Sequence, residues 1–119
     1  MLDRAVLDAS PREVLRTHTP WTRGPQLFEG RPLLPLLPEA LLRAPLLVAV
    51  GLDDYRAEIP AEDVQRHGLF LAWRRNGVLL TVRDRGPFWL LYPWSARPGL
   101  DLPLFHRRAV WQLRLIEAA

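Results

Sequence analysis

The chain has 119 residues, 49% hydrophobic and 24% charged, and carries a net charge of +3 from 16 Arg and 13 acidic residues with no Lys. That length suits one domain, and the apolar share excludes a disordered chain. The absence of Cys excludes a disulfide framework, thiolate metal ligation and a Cys nucleophile. The pI of about 10.5 follows from having Arg alone as the base, because little titrates between neutral pH and the Arg range. It does not indicate nucleic-acid binding: the Arg residues alternate with Asp and Glu and form no basic stripe.

Residues 3–9 read as a short helix with Asp3 as its N-cap, stopped by Ser10-Pro11. Residues 13–19 are expected to be extended, with Pro20 holding Thr19 out of the helical region. A short strand is expected at 26–29, ending at Gly30, and a helix from about Pro35 to Arg43 with prolines in its first turn. Residues 46–50 form a continuous apolar run that suits a buried strand, and 55–59 another short strand. A helical turn or two follows at 60–67, capped by Gly68.

Residues 69–75 and 78–83 flank Asn76-Gly77, the preferred pair for a type I′ hairpin turn. A two-residue loop places Trp73 opposite Leu80 and Leu71 opposite Val82. Gly86-Pro87 ends that strand, 88–92 starts another, 94–105 reads as loop, and 109–116 alternates as a final strand. The expectation is an α+β fold, a single compact domain over residues 1–119 built of short mixed strands and short helices. No run is long enough for a membrane span, since the richest, at 33–51, is broken by Pro35, Pro38, Arg43 and Pro45. Nor does the start, Met1-Leu2-Asp3-Arg4, look like a signal peptide. As written, the chain is expected in the cytoplasm.

Chemistry-bearing residues are sparse. His18, His67 and His106 lack metal-ligand spacing and read as unrelated side chains. Ser10 and Ser95 lack a nucleophile elbow, which argues against a hydrolase. The aromatic and Arg-rich loops are more informative. Trp21 and Trp94, flanked by Pro and polar residues, are candidate pocket walls, whereas Trp73, Trp89 and Trp111 read as core. Arg83-Asp84-Arg85 is either the polar edge of a pocket or an ion-pair network holding a loop.

The segment Leu71-Ala72-Trp73-Arg74-Arg75-Asn76-Gly77-Val78-Leu79-Leu80 resembles the strand–turn–strand of the molybdopterin-binding domain of sulfite oxidase. Short stand-alone bacterial members of that fold are more similar still. They share T-x-T-P-W-T at 17–22, F-x-G-x-x-L at 28–33, the D-Y and I-P of Asp54-Tyr55 and Ile59-Pro60, V-R-D-x-G-P at 82–87 and R-x-V-W-Q at 108–112. The resemblance spans nearly the whole chain. It implies a sulfite oxidase-like molybdopterin-domain fold. Where the full enzymes place a molybdenum-ligating Cys, this chain has Val48-Ala49-Val50-Gly51, so no molybdenum is expected and an enzyme is disfavoured.

Some short members bind free reduced pterins in the periplasm and signal to a cyclic-di-GMP protein. The resemblance therefore implies a non-catalytic pterin- or molybdopterin-binding domain, a sensor or carrier, with a periplasmic address if a signal peptide has been removed. Its alternatives are a small molybdenum-dependent oxidoreductase and an interaction module with no ligand. Asp53, Asp54 or Asp84 would accept the two adjacent donors of the pterin edge. Trp21 or Trp94 would stack on the ring, and Arg83, Arg85 or Arg108 would meet its oxygens. Thr19 and Tyr55 complete the candidate set. Asp53 stands where the short members usually have Asn, and Ala109 where they have Ser.

Overall fold

Asp3 accepts hydrogen bonds from the amides of Ala5 (3.1 Å) and Val6 (3.4 Å), capping helix α1 (Arg4–Asp8) as its position predicts. The computed structural model describes residues 3–119; Met1 and Leu2, part of the expected domain, lie outside the described residues. The remaining elements are β1 (Glu13–Thr17), β2 (Gln26–Pro32), α2 (Glu39–Leu42), β3 (Leu46–Gly51), β4 (Arg56–Pro60), α3 (Ala61–Gln65), β5 (Phe70–Arg75), β6 (Val78–Leu79), β7 (Trp89–Leu91), α4 (Pro103–Arg108) and β8 (Leu113–Ala118).

The strands form two antiparallel sheets. In the first, β2 lies between β1 and β5, and the far side of β5 is shared: β7 pairs with Phe70, Leu71 and Ala72, β6 with Arg74 and Arg75. In the second, β3 lies between β4 and β8. One hydrophobic core joins Phe28, Leu71, Trp73 and Leu90 of the first sheet to Leu47, Ile59, Leu113 and Ile116 of the second. The fold is thus a compact α+β domain, and no helix among the described residues is long and apolar enough to cross a membrane.

Several expectations need correction. β2 does not stop at Gly30 but runs through it to Pro32. A Cβ at Gly30 would sit 1.9 Å from the Leu71 carbonyl oxygen, so glycine here serves the close approach of β2 to β5 at a register shift. The expected helix at 35–43 is two pieces, a 3-10 turn (Leu34–Leu36) and α2. Pro38 holds Leu37 extended at ψ 135° between them.

The hairpin turn forms as expected, with Asn76 (φ 51°) and Gly77 (φ 84°) both left-handed. Arg75 faces Val78, Arg74 faces Leu79, and the Leu80 amide donates to the Trp73 carbonyl at 2.8 Å. Beyond that point the chain leaves the sheet in a 3-10 turn (Val82–Asp84). Leu71 therefore pairs with Leu90 rather than Val82, and Val82 is exposed. The stretch expected to be loop at 94–105 contains a 3-10 turn (Pro98–Leu100) and the start of α4, and the last strand begins only at Leu113.

Candidate functional site

Four stretches of chain meet around a cleft of about 290 Å³. Trp21 comes from the β1–β2 connection and Asp53 and Tyr55 from the β3–β4 turn. His106 and Arg107 come from α4, and Ala109, Val110 and Trp111 from the segment leading into β8. Each wall has a local cause. Thr19 is buried; its hydroxyl oxygen accepts the Trp21 amide at 3.1 Å and lies 2.8 Å from the Thr22 hydroxyl. Thr19 thus shapes the turn that presents Trp21 from behind the wall.

The Trp21 ring packs edge-to-face on Trp111, with centroids 5.0 Å apart and planes at 85°. The two indoles form an aromatic corner. On the opposite strand pair, Asp53 Oδ1 accepts the Tyr55 amide at 3.2 Å, an Asx turn that lets Asp54 adopt φ 64°. Gly51 makes room for this turn, since a Cβ there would lie 2.9 Å from Asp53 Oδ1. The Tyr55 hydroxyl donates to the Arg107 carbonyl at 2.7 Å. Arg107 itself has no ion pair among the described residues.

Of the residues singled out in the sequence, Trp21, Asp53 and Tyr55 line the cleft, with Thr19 behind them. Trp94 does not line it: the ring is fully buried, packed between Tyr92 (5.9 Å) and His106 (5.6 Å). Trp111, expected in the core, is half-buried and forms a wall instead. Trp73 and Trp89 are fully buried, as expected. Asp54 turns to solvent and pairs with Arg114 at 3.2 Å. Arg108 faces away, onto the buried Asp63 carboxylate at 2.9 Å. Tyr92 donates to the same oxygen at 2.6 Å, and burial, reinforced by Asp63, pushes its phenol far above the ordinary range.

Arg83-Asp84-Arg85 is neither a cleft edge nor an ion-pair network. Asp84 accepts from the Thr81 hydroxyl at 3.2 Å, Arg83 is exposed, and no ion pair joins the three among the described residues. Arg85, at φ 75°, lays its guanidinium over Trp111 (5.0 Å) and Trp89 (5.4 Å), buttressing the wall from outside the lining.

Two of the three histidines are related, while His67 stands apart near Glu62 (3.9 Å). His18 Nε2 lies 2.8 Å from Asp101 Oδ2, and His106 Nε2 lies 2.7 Å from Asp101 Oδ1, so one carboxylate joins two imidazoles. Those hydrogen bonds, His18 first, hold the Asp101 carboxyl below its usual range. Ser95 Oγ meets His18 Nδ1 at 2.8 Å, giving the composition of a hydrolytic triad. Its chemistry differs. Ser95 Oγ also accepts the His18 amide at 2.9 Å, and the Ser95 amide is committed to Thr17 Oγ1 at 3.0 Å, so it cannot serve a developing oxyanion. The trio fastens the loop after β7 to the end of β1. No group of three or more His, Asp or Glu side chains suited to a metal ion occurs among the described residues. Compared with models of protein families and with curated proteins, the chain matches none.

Proposed function

We propose that the cleft binds a flat nitrogen heterocycle of the pterin class and that the protein is a non-catalytic sensor or carrier reporting the ligand to a protein partner. The observation that carries this reading is the Trp21–Trp111 corner with a carboxylate beside it: Asp53 lines the same cleft, and its Oδ2 makes no hydrogen bond among the described residues. Indole faces suit a bicyclic ring, and a carboxylate accepts adjacent amino and ring N–H donors with charge-assisted hydrogen bonds. Arg107, also in the cleft, supplies a cation for ring or side-chain oxygens.

Molybdenum is a different matter. Its ligation in this chemistry needs a soft thiolate, and the chain has no Cys. The donor set therefore fits a pterin ring and does not fit the metal.

The test is titration with dihydroneopterin, followed by quenching of indole emission in the unmodified protein and in Trp111→Leu. Saturable quenching that weakens at least about tenfold in a folded Trp111→Leu variant supports the reading. Absence of saturable binding, together with no small molecule carried by protein purified from its native host, overturns it in favour of an interaction module.

A further inference from the structure

Building on the reading of the cleft as a heterocycle site, we infer that His106 is its fixed hydrogen-bond acceptor: Asp101 keeps the imidazole proton on Nε2, so Nδ1 takes an N–H of the bound ring, and binding weakens when Nδ1 is protonated.

The geometry places a proton on Nε2 of His106. Asp101 is an ionised carboxylate at neutral pH, and an ionised carboxylate only accepts. The 2.7 Å contact with His106 Nε2 therefore places an N–H on that nitrogen, and a neutral ring then has a bare lone pair on Nδ1. Nδ1 has no hydrogen-bond partner among the described residues, and His106 is a lining residue of the cleft.

The ring is held on its other sides as well. Trp21 and Trp94 pack edge-to-face against it at 6.1 and 5.6 Å, and Asp101 is itself oriented by His18. A carboxylate that orients an imidazole and fixes its tautomer is a general device for giving a histidine one defined hydrogen-bonding role.

The cleft then offers two acceptors from different elements, the Asp53 carboxylate and His106 Nδ1. It is complementary to a ring with N–H donors on two separate edges. The charged and titratable groups around His106 are Asp101, just after the 3-10 turn that precedes α4, and His18, just after β1. Arg107 follows it on α4, and Asp53 and Tyr55 line the cleft from the β3–β4 turn. Arg56 and Glu58 of β4 line the adjoining groove, and Arg85 lies over Trp111. Protonation of His106 keeps the bond to Asp101 and turns Nδ1 into a donor, so that a ligand N–H meets another N–H. If the imidazolium form does not bind, affinity falls as His106 takes up a proton on Nδ1.

Two measurements on the full chain test this. Heteronuclear NMR of the histidine ring nitrogens in the ligand-free protein is expected to show that the neutral form of His106 carries its proton on Nε2. Dihydroneopterin affinity, followed between about pH 8 and pH 5.5 across the histidine range, is expected to fall on acidification in the unmodified protein. It should be weaker but flat with pH in His106→Gln, and His18→Gln should keep the pH dependence. Asp101→Asn, which leaves the ring in place and frees the tautomer, should show a smaller loss.

A neutral ring that carries its proton on Nδ1 overturns the inference. So does pH-independent binding by the unmodified protein, or a pH dependence that survives in His106→Gln and vanishes in His18→Gln. If dihydroneopterin does not bind at any pH although the ring is protonated on Nε2, the heterocycle reading fails and the inference falls with it.

Discussion

The Tyr55 hydroxyl reaches the Arg107 carbonyl at 2.7 Å and so ties the approach to β4 to the last turn of α4 beside the cleft. The bond satisfies one of the carbonyls that a helix end leaves without an intrahelical partner. Tyr55→Phe should lower stability by about 1 kcal/mol or less, because the ring is partly exposed and water can replace the donor. The effect on dihydroneopterin affinity should exceed the effect on stability, since both tied segments line the cleft. Urea unfolding and a binding titration of the same variant separate the two.

Arg85 combines a left-handed backbone with a guanidinium over two indoles. Arg85→Ala loses the cation–π contacts, about 0.5–2 kcal/mol, and keeps the backbone strain. Arg85→Gly loses the same contacts and recovers about 1 kcal/mol of strain. Arg85→Gly is therefore expected to melt close to the unmodified protein, within about 1 kcal/mol, with Arg85→Ala lowest. An Arg85→Ala variant as stable as Arg85→Gly would remove backbone strain from the account.

Asp63 is buried with two partners, Tyr92 and Arg108. Arg108→Met removes the cation and strands a carboxylate in the core, at a cost of about 3–5 kcal/mol. The change should act through folding alone, since Arg108 is outside the cleft lining. Dihydroneopterin affinity of the folded fraction, measured at low temperature, is expected to stay within about threefold of the unmodified value.

Acid should weaken the fold through Asp8 and Asp101. Asp8 is held far below the usual carboxylate range, first by its hydrogen bonds to Arg74 (2.8 Å to each oxygen) and then by the Trp73 indole N–H. Asp101 is lowered in the same direction by His18 and His106. A carboxyl whose folded pKa lies below its unfolded value gives stability that is fully present above about pH 4 and is lost as pH falls toward the folded value. Asp8→Asn should lower stability at neutral pH and flatten the acid limb of the stability curve. An acid limb unchanged in Asp8→Asn would show that other carboxyls dominate it.

Local signals carried much of the fold. The Asp3 cap, the Asn76-Gly77 turn and the apolar run that became β3 each depend on neighbours a few residues away, and each has the expected conformation. The site was less legible, because burial is decided by distant partners. Pro93 and Ser95 beside Trp94 suggest exposure, yet the ring is covered by Tyr92 and by His106 from α4. Trp111 alternates like a core residue, but it precedes β8 and opens onto the cleft.

The link between His18 and Asp101 spans 83 positions and leaves no local trace. One local signal does mark α4. Pro103 followed by a last turn of His106, Arg107 and Arg108 is the proline-first, basic-last pattern of a short helix, and it would have placed α4.

The cleft takes Trp21 from a connection in one sheet and Asp53 and Tyr55 from a turn in the other. A guest gripped by both is a removable rivet between two plates. Its presence is itself a message: amides around Trp21 and in the β3–β4 turn would exchange with solvent more slowly when the rivet is in place, and a partner that prefers the stiffer surface would read occupancy without touching the ligand.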